Sequence, residues 1–361
     1  MATRRLVLRA GPRAADRLRA EGFHPDLFGT LVGASGGPKW LVLRHVDDLL
    51  VDRLILPRST PLDTLGSSIG SFRHACFAQH DPHGALERFA QGYVHQAYDG
   101  PGSPSMEAIS AESDRILTTL LGDAGAAEIV SHPLLRSHFV AARLRRDRGH
   151  DRGLAFKLQL GRAAARNLIS RGRIGASFER LVFHAPGGTG TSADSSIRFV
   201  DLVTRTVPLE PANVRPALLA SGSIPLVMAG VRDTPGVPGT LFDGGIIDYH
   251  FDFRFRRRPG LVLFPHFFDR ITPGWFDKPL RWRRPRLEDL DDVLMIAPSD
   301  AFVSALPGGR VPDRNDFLRL GTAERIRRWK DVVDRCRVLA DELHELIETQ
   351  RLAEAVLPFE A

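Results

Sequence analysis

Cysteine, lysine and long apolar runs are all scarce in this 361-residue chain. Its two cysteines, Cys76 and Cys336, lie far apart and form no CxxC pair, so we expect free thiols in a reducing compartment and no structural zinc site. The longest uncharged apolar stretch, 217–231, is shorter than the roughly 20 residues that span a membrane. No apolar segment follows the arginine-rich residues 4–19, so we expect no secretory signal and a cytoplasmic location.

The basic residues are almost all arginine, since lysine provides only four of the 49. Such a ratio, in a chain rich in alanine, glycine and proline, is typical of a GC-rich genome, and the pI of 9.9 therefore does not indicate a nucleic-acid partner. A basic surface still favours peripheral contact with anionic lipid headgroups. The balance of 43% hydrophobic and 25% charged residues excludes a disordered chain.

Short apolar runs bounded by turn residues alternate with helical patterns along most of the chain. This alternation predicts an α/β fold with a mostly parallel central sheet flanked by helices. We expect an N-terminal strand and helix in residues 1–25, a main domain in 26–265, and a C-terminal helical extension in 266–361. The runs that predict buried strands include 27–32, 62–65, 181–184 and 261–264.

Two segments near the C-terminus each allow two interpretations. Residues 251–286 contain ten Lys or Arg and nine Phe or Trp, as an interfacial membrane surface would, but also as core aromatics beside a solvated basic face would. Past residue 287 the chain is polar until a helix predicted over 323–355, whose apolar stripe either docks on its own domain or forms a homodimer. The stripe consists of Ile326, Trp329, Val333, Cys336, Ala340, Leu343 and Ile347.

The first of three glycine-rich elements is Ser35-Gly36-Gly37-Pro38-Lys39, between a predicted strand and a predicted helix. Glycines let backbone N–H groups approach a ligand closely, and a helix N-terminus adds a positive field. Such a loop can hold an oxyanion or a phosphate. A plain strand-to-helix turn is the alternative.

The second element, Gly66-Ser67-Ser68-Ile69-Gly70, has the G-x-S-x-G pattern of a nucleophile elbow. In an elbow the serine lies on a tight strand-to-helix turn with its Oγ exposed, and the flanking glycines relieve the crowding. A predicted strand precedes Ser68 and a predicted helix follows it, which is the context that the elbow requires. A simple Ser/Gly turn is the alternative.

The third element, Asp243-Gly244-Gly245, follows a short apolar strand. Asp-Gly is most often a turn. A catalytic role would require the Asp243 carboxylate to accept the proton of Ser68 as a general base.

The order and spacing of these elements resemble the patatin-like phospholipase family. A fourth segment, Ala220-Ser221-Gly222-Ser223-Ile224-Pro225, is similar to the family's Ala-Ser-x-x-x-Pro segment, and the resemblance covers roughly residues 26–265. It implies a patatin-like layered fold and hydrolysis of acyl esters in phospholipids or neutral lipids, with no metal and no cofactor. Ser35 and Trp40 stand where the family's loop usually has glycines.

The resemblance also implies residue roles. Ser68 would be the nucleophile and Asp243 its base, in a dyad without histidine. Backbone N–H groups around Ser35, Gly36 and Gly37 would bind the oxyanion. Lys39 would match the basic residue of the family's loop. The elbow glycines Gly66 and Gly70, and Gly244 and Gly245 of the Asp motif, complete the predicted site.

One alternative nucleophile lies within the same sequence, because residues 33–37 also read G-x-S-x-G around Ser35. In an α/β-hydrolase, Ser35 would need a late histidine such as His250 or His266. That fold places several strands before its elbow, whereas little chain precedes Ser35, and the position therefore argues against this assignment.

Three further alternatives follow from other features. Asp243, Asp248, His250 and Asp252 have the ligand types of a divalent-cation site, but their spacing matches no metal motif. Residues 187–190, Gly-Gly-Thr-Gly, could belong to a nucleotide-binding loop, yet they lack the Gly-Lys-Ser/Thr of a P-loop. A catalytically inactive lipid-binding protein is the third alternative.

Overall fold

Strands and helices alternate along residues 4–98, 104–145, 151–186 and 195–360, which are the parts of the chain that the computed structural model describes. The strands are β1 (Leu6–Ala10), β2 (Phe28–Gly33), β3 (Leu62–Ser67), β4 (Leu135–Leu144), β5 (Phe178–His184), β6 (Arg198–Phe199), β7 (Thr204–Pro208), β8 (Leu241–Asp243), β9 (Phe255–Arg256), β10 (Leu261–Pro265), β11 (Val293–Pro298) and β12 (Val356–Pro358).

The α-helices are α1 (Pro12–Glu21), α2 (Arg44–Leu50), α3 (Ile69–Phe77), α4 (Pro82–Val94), α5 (Met106–Leu121), α6 (Gly125–Ser131), α7 (Gly153–Ile169), α8 (Pro211–Gly222), α9 (Asp300–Ser304), α10 (Asp316–Arg319), α11 (Thr322–Arg335), α12 (Arg337–Glu348) and α13 (Leu352–Ala355). A 3-10 helix, Gly37–Leu43, leads into α2, and a π-helical turn, Val51–Ile55, follows it.

A mixed sheet forms the centre of the molecule. In the described part of the chain its strand order is β12-β1-β11-β10-β2-β3-β4-β5-β7, and β8 pairs with β4. The central strands β11, β10, β2, β3 and β4 are mutually parallel, whereas β1 and β5 run antiparallel to their central neighbours. The predicted α/β class, with a mostly parallel central sheet flanked by helices, is therefore confirmed.

Strands β2 and β3 bring two glycine-rich turns to the same edge of the sheet. Every residue of both strands is buried, as expected for parallel strands covered on both faces. Their register pairs Gly33 with Gly66, the last residue of one strand with the last but one of the other. Since ligands of α/β proteins bind beyond the carboxyl ends of parallel strands, this edge is the place for a functional site.

Two central strands differ from the sequence prediction. The chain beyond residue 287 is predicted to be polar up to the C-terminal helix, but Val293–Pro298 is the wholly buried strand β11, so that prediction is wrong. The pattern assigns no element to β4 because buried Ser137 and His138 interrupt its apolar run. The His138 ring lies 3.2 Å from the Thr64 carbonyl oxygen through Nδ1, a contact that makes a buried histidine tolerable in the sheet.

Residues from all three predicted segments build this single sheet. β1 comes from residues 1–25, and β11 and β12 come from residues 266–361, yet each pairs with a neighbouring strand of the sheet. The predicted divisions at residues 25 and 265 therefore do not separate structural layers.

The helix predicted over residues 323–355 is interrupted at Cys336, between α11 and α12, and again before α13. Its apolar stripe packs on the chain's own core, where Trp329, Cys336 and Leu343 are fully buried. Helix α12 contacts α2, and α11 contacts the 3-10 helix Gly37–Leu43. The stripe therefore docks on its own protein.

Segment 251–286 contributes mainly to the core. Phe251, Phe253, Phe255, Phe264 and Phe267 are buried, whereas the Trp282 side chain is 71% exposed. The structure thus favours the interpretation as core aromatics for most of this segment. The Gly-Gly-Thr-Gly stretch at 187–190 lies outside the described residues.

Two simpler expectations concern thiols and membrane spans. Cys76 and Cys336 are both buried and unpaired. None of the helices formed by the described residues combines the length and the apolar composition needed to cross a membrane.

Candidate active site

Ser68 lies at a sharp turn between β3 and α3. Its φ of 55° and ψ of −125° lie in a region that a non-glycine residue adopts only when its surroundings enforce it. The neighbouring glycines allow the turn to close: a Cβ on Gly66 would lie 2.6 Å from the Ser71 Cα, and one on Gly70 would overlap the Gly33 carbonyl group. These are the strain and the crowding of a nucleophile elbow rather than of an ordinary Ser/Gly turn.

The side chains of Ser68 and Asp243 meet at the carboxyl edge of the sheet. Ser68 Oγ donates a hydrogen bond of 2.7 Å to Asp243 Oδ2. The backbone N–H of Gly245 donates a 2.6 Å hydrogen bond to Oδ1, the other oxygen of the same carboxylate. Both dyad residues are only 6% exposed. The two residues, 175 positions apart in sequence, thus form the hydrogen-bonded pair that a Ser-Asp dyad requires.

The two glycines after Asp243 permit close packing against the other loops. A Cβ on Gly245 would lie 2.6 Å from Ser35 Oγ, and one on Gly244 would lie 2.8 Å from Ser67 Oγ. Any larger residue would therefore push the Asp motif away from the elbow. The glycines of the Asp motif therefore allow close packing between loops, in addition to forming the turn.

Burial changes the acidity of the Asp243 carboxyl. Removal from water raises its pKa to about 6, although hydrogen bonds from Ser68 and from the Gly245 amide, together with the nearby Lys278 and Arg314, favour the charged form. A carboxylate with a pKa near 6 is a stronger base than an ordinary aspartate. It is still ionised at neutral pH, which suits a general base.

The loop after β2 supplies the candidate oxyanion donors. The backbone N–H of Ser35 donates to the Tyr249 carbonyl oxygen at 2.7 Å, and Ser35 Oγ donates to Ser67 Oγ at 2.9 Å. The Ser35 amide is therefore already hydrogen-bonded, so it is not free to bind an oxyanion, and the predicted donors are reduced to Gly36 and Gly37. Within the described chain the amides of Gly36 and Gly37 donate no hydrogen bond, and both residues line the same cleft as Ser68.

Trp40, which stands where the resemblance would place a glycine, does not narrow this loop. Its side chain is fully buried and stacks on Phe89 with ring centroids 4.6 Å apart. The substitution is thus absorbed by the core beneath the loop.

The alternative nucleophile, Ser35, is not hydrogen-bonded to a histidine in the part of the chain that the structure describes. His250 Nδ1 accepts a hydrogen bond from the Thr272 amide, and His266 Nδ1 accepts one from the Phe268 amide. Burial lowers the pKa of both histidines. Across the described residues no hydrogen bond joins Ser35 to a histidine, so the geometry favours Ser68.

The carboxylates proposed as metal ligands have other partners. Asp248 accepts from Arg180 at 2.6 Å through Oδ2 and also pairs with Arg171. Asp252 accepts from Arg171 at 3.2 Å. Over the described ranges no group of three or more His, Cys, Asp or Glu side chains is arranged to hold a metal ion. Asp248 instead anchors the chain that follows Gly245.

Three basic side chains line the same cleft as Ser68 and Asp243. Lys39, the predicted basic residue of the loop, forms an ion pair with Asp313 and has no contact with Ser68. Lys278 Nζ lies 3.9 Å from the centroid of the Tyr249 ring, and Arg314 is exposed beside Asp313. Enclosure by the cleft walls, together with Lys39 and Arg314, lowers the pKa of Lys278 to about 7.

A cleft of about 580 Å³ connects these groups. Ser68, Asp243, Gly36 and Gly37 line it on the polar side. Its apolar wall includes Phe72, Ile109, Val227, Met228, Trp275 and Phe317. A cavity of about 800 Å³ shares Lys39, Tyr249, Lys278 and Asp313 with the cleft. The volume and the mixed lining are those of a site for a small ligand with an apolar part.

Four residues of this site have no role in the sequence prediction. Lys278, Arg314 and Asp313 come from the C-terminal part of the chain, far from any motif. Ser221 belongs to the predicted Ala-Ser-x-x-x-Pro segment but received no role, although its Oγ accepts a hydrogen bond from the Ser68 amide.

Comparison of the chain with protein-family models, with curated proteins and with solved structures finds no match.

Proposed function

We propose that this chain is a serine acyl hydrolase of the patatin-like type, with a patatin-like layered α/β fold. The observation that carries the proposal is the 2.7 Å hydrogen bond from Ser68 Oγ, on a strained elbow, to a buried carboxylate of Asp243. A serine is a weak nucleophile until an adjacent base takes its proton, and Asp243 is the base within reach. The substrate class that suits the cleft is an ester with an apolar acyl chain.

The first half of the reaction transfers the acyl group to Ser68. Oγ attacks the ester carbonyl carbon while its proton passes to Asp243 Oδ2, and the carbonyl electrons move onto oxygen. The amides of Gly36 and Gly37 donate to that oxyanion. When the tetrahedral intermediate collapses, the bond to the alcohol oxygen breaks, and the leaving alcohol takes the proton from Asp243.

The second half releases the acid. Water attacks the acyl-Ser68 ester and gives a proton to Asp243, which returns it to Ser68 Oγ as the second intermediate collapses. Asp243 therefore acts as base and acid in turn. A carboxylate is a modest base for a hydroxyl, so much of the rate enhancement must come from the oxyanion donors.

The cleft favours acyl esters over smaller substrates. Its wall of Phe72, Ile109, Val227 and Met228 can cover an alkyl chain that extends from the carbonyl at Ser68. The cations Lys278 and Arg314 lie where a negatively charged part of the alcohol could be received. Phospholipids fit both features, and neutral lipids fit the first.

Labelling with a fluorophosphonate probe, followed by peptide mass spectrometry, tests the proposal. The expected adduct is on Ser68; it is lost in Ser68→Ala, slowed in Asp243→Asn and retained in Ser35→Ala. An adduct on Ser35 would instead indicate an α/β-hydrolase type of esterase. A folded protein that takes no label would be an inactive lipid-binding protein.

A further inference from the structure

Helix α7 exposes an apolar stripe along its whole length. Leu154, Leu158, Gly161, Ala165 and Leu168 follow one another at spacings of four and three, which places them on one helical face, and all five are exposed. The three leucines are 73%, 56% and 57% exposed. A stripe of this kind is normally covered in a soluble protein.

The opposite face of α7 is already packed. Phe156, Leu160 and Ala163 are buried in a small hydrophobic cluster with Phe242 and Ile246. The helix therefore already has a buried face. Rotating it to bury the outward leucines would expose Phe156, Leu160 and Ala163.

Two more large apolar side chains extend the stripe at its C-terminal end. Ile169 is 65% exposed, and Trp282 is 71% exposed. The guanidinium of Arg283, the residue after Trp282, donates to the carbonyl oxygens of Asn167 and Leu168 at 2.7 and 3.2 Å, which ties this segment to the C-terminal end of α7. We call Leu154, Leu158, Leu168, Ile169 and Trp282 the α7 patch.

The charged residues of α7 and of the segment that follows it are all basic. Residues 153–178 contain five Lys or Arg and no Asp or Glu. Lys157, Arg162 and Arg173 are exposed, and none of them forms an ion pair within the described residues. An apolar stripe flanked by unpaired cations is complementary to an anionic, amphipathic surface.

We propose that the α7 patch docks this protein on an anionic lipid surface. The leucines and Trp282 would lie among the upper acyl chains, and Lys157, Arg162 and Arg173 would contact lipid phosphates. A second copy is the poorer occupant, because stacking two α7 helices would bring these cations together with no acidic residue of the helix to pair with them.

The patch is coupled to the candidate active site through the buried side of α7. Phe156 stacks on Phe242, the residue before Asp243, with ring centroids 5.2 Å apart. Trp275 lines the catalytic cleft and packs on the same cluster. Lipid contact at α7 would thus occur one layer of side chains away from the strand that carries the proposed base.

Co-sedimentation with vesicles tests the proposal. Ser68→Ala protein is used, so that no lipid is hydrolysed and the result holds whether or not Ser68 is the nucleophile. We expect binding to phosphatidylcholine vesicles that contain phosphatidylglycerol and much weaker binding to phosphatidylcholine alone. Leu154→Gln/Leu158→Gln and Lys157→Glu/Arg162→Glu should each weaken anionic-vesicle binding about tenfold or more.

The matched control is Leu56→Gln, which removes a leucine 62% exposed outside α7 and should bind as its parent does. All substituted positions are exposed, and circular dichroism checks that each variant is folded. Equal binding of the α7 variants and the control, or binding indifferent to phosphatidylglycerol, would overturn the proposal. So would a dimer, seen by light scattering, that Leu154→Gln/Leu158→Gln converts to monomer.

Discussion

Ser221 Oγ accepts a hydrogen bond of 2.9 Å from the backbone N–H of Ser68. The same hydroxyl donates to the Val140 carbonyl oxygen at 2.7 Å, so its remaining contact, with Ser71 Oγ at 2.9 Å, is accepted from Ser71. One buried hydroxyl thus ties the strained elbow to strand β4. The strain at Ser68 is maintained by a partner outside the elbow itself.

Ser221→Ala should lower kcat about tenfold with little change in KM, because the elbow would no longer be held in its reactive geometry. It should also lower the free energy of unfolding by about 1–3 kcal/mol, since the buried Ser68 amide and Val140 carbonyl lose a partner. Steady-state kinetics and urea unfolding measure the two effects. Ser223→Ala, which removes a hydroxyl bonded to Leu219 in the same segment, is the matched control. Equal kcat values for the two variants would contradict the role assigned to Ser221.

At Gly37, loss of the backbone N–H should lower kcat more than gain of a methyl group. The φ of Gly37 is 55°, and a Cβ there would meet nothing closer than the Tyr93 hydroxyl at 3.5 Å, so Gly37→Ala adds conformational strain but no clash. Gly37→Pro removes the amide and also forces the backbone out of its φ of 55°, because proline is restricted to φ near −65°. One oxyanion donor contributes about 10²–10³-fold in kcat. We therefore expect a loss of at least that size for Gly37→Pro and a much smaller loss for Gly37→Ala. If a folded Gly37→Pro retained full turnover, Gly37 would not be an oxyanion donor.

Activity should fall at acid pH as Asp243 is protonated. The ionised form is the base, and burial raises its pKa to about 6, so kcat/KM should decline below about pH 6 and level off above it. The Lys278 ammonium favours the charged carboxylate. Lys278→Met should therefore move the acid limb to higher pH, whereas Lys330→Met, at an exposed site on α11, should leave it in place. A limb near pH 4 in the wild type would show that burial does not raise the pKa of the catalytic base.

The same titration predicts that Asp243→Asn stabilises the fold. A carboxyl whose pKa is about 6 when folded and near 4 when unfolded binds its proton more tightly in the native state. Ionisation above pH 6 therefore costs folding free energy, on the order of 2–3 kcal/mol, and this cost disappears as the pH falls towards 4. Thermal unfolding should show a higher Tm for Asp243→Asn than for the wild type at pH 8. At pH 4.5 the difference should be much smaller, because the unfolded carboxyl is then partly protonated, and a difference independent of pH would contradict the explanation.

The parts of the site that the sequence predicted are those encoded by local geometry. Ser68, Gly36, Gly37 and Asp243 lie at the ends of short apolar strands, where glycines mark tight turns. Such turns have a sequence signature because only a few residue types can adopt them. The sequence could also order these turns along one sheet edge, since parallel strands share a direction.

The parts that the sequence did not predict depend on contacts across the fold. Lys278 and Arg314 reach the cleft from loops with no periodic pattern. β4 is hidden by buried polar residues, and His138 among them contacts the Thr64 carbonyl oxygen of the neighbouring strand β3. The outward stripe of α7 is not predicted, because the sequence alone does not show which face of a helix the core covers. Only the packing of Phe156 and Leu160 shows which face is left outside.

The pairing of β1 bears on how this protein is made. Leu6 pairs with Pro298 in β11, and Leu8 pairs with Val356 in β12, so β1 has neither partner until synthesis has reached at least β11. Pairings this distant in sequence form slowly and leave a strand edge exposed meanwhile. During synthesis, β1 therefore stays unpaired until β11 has been made, and ribosome-bound chains that end before β11 should keep it accessible to chaperones and proteases.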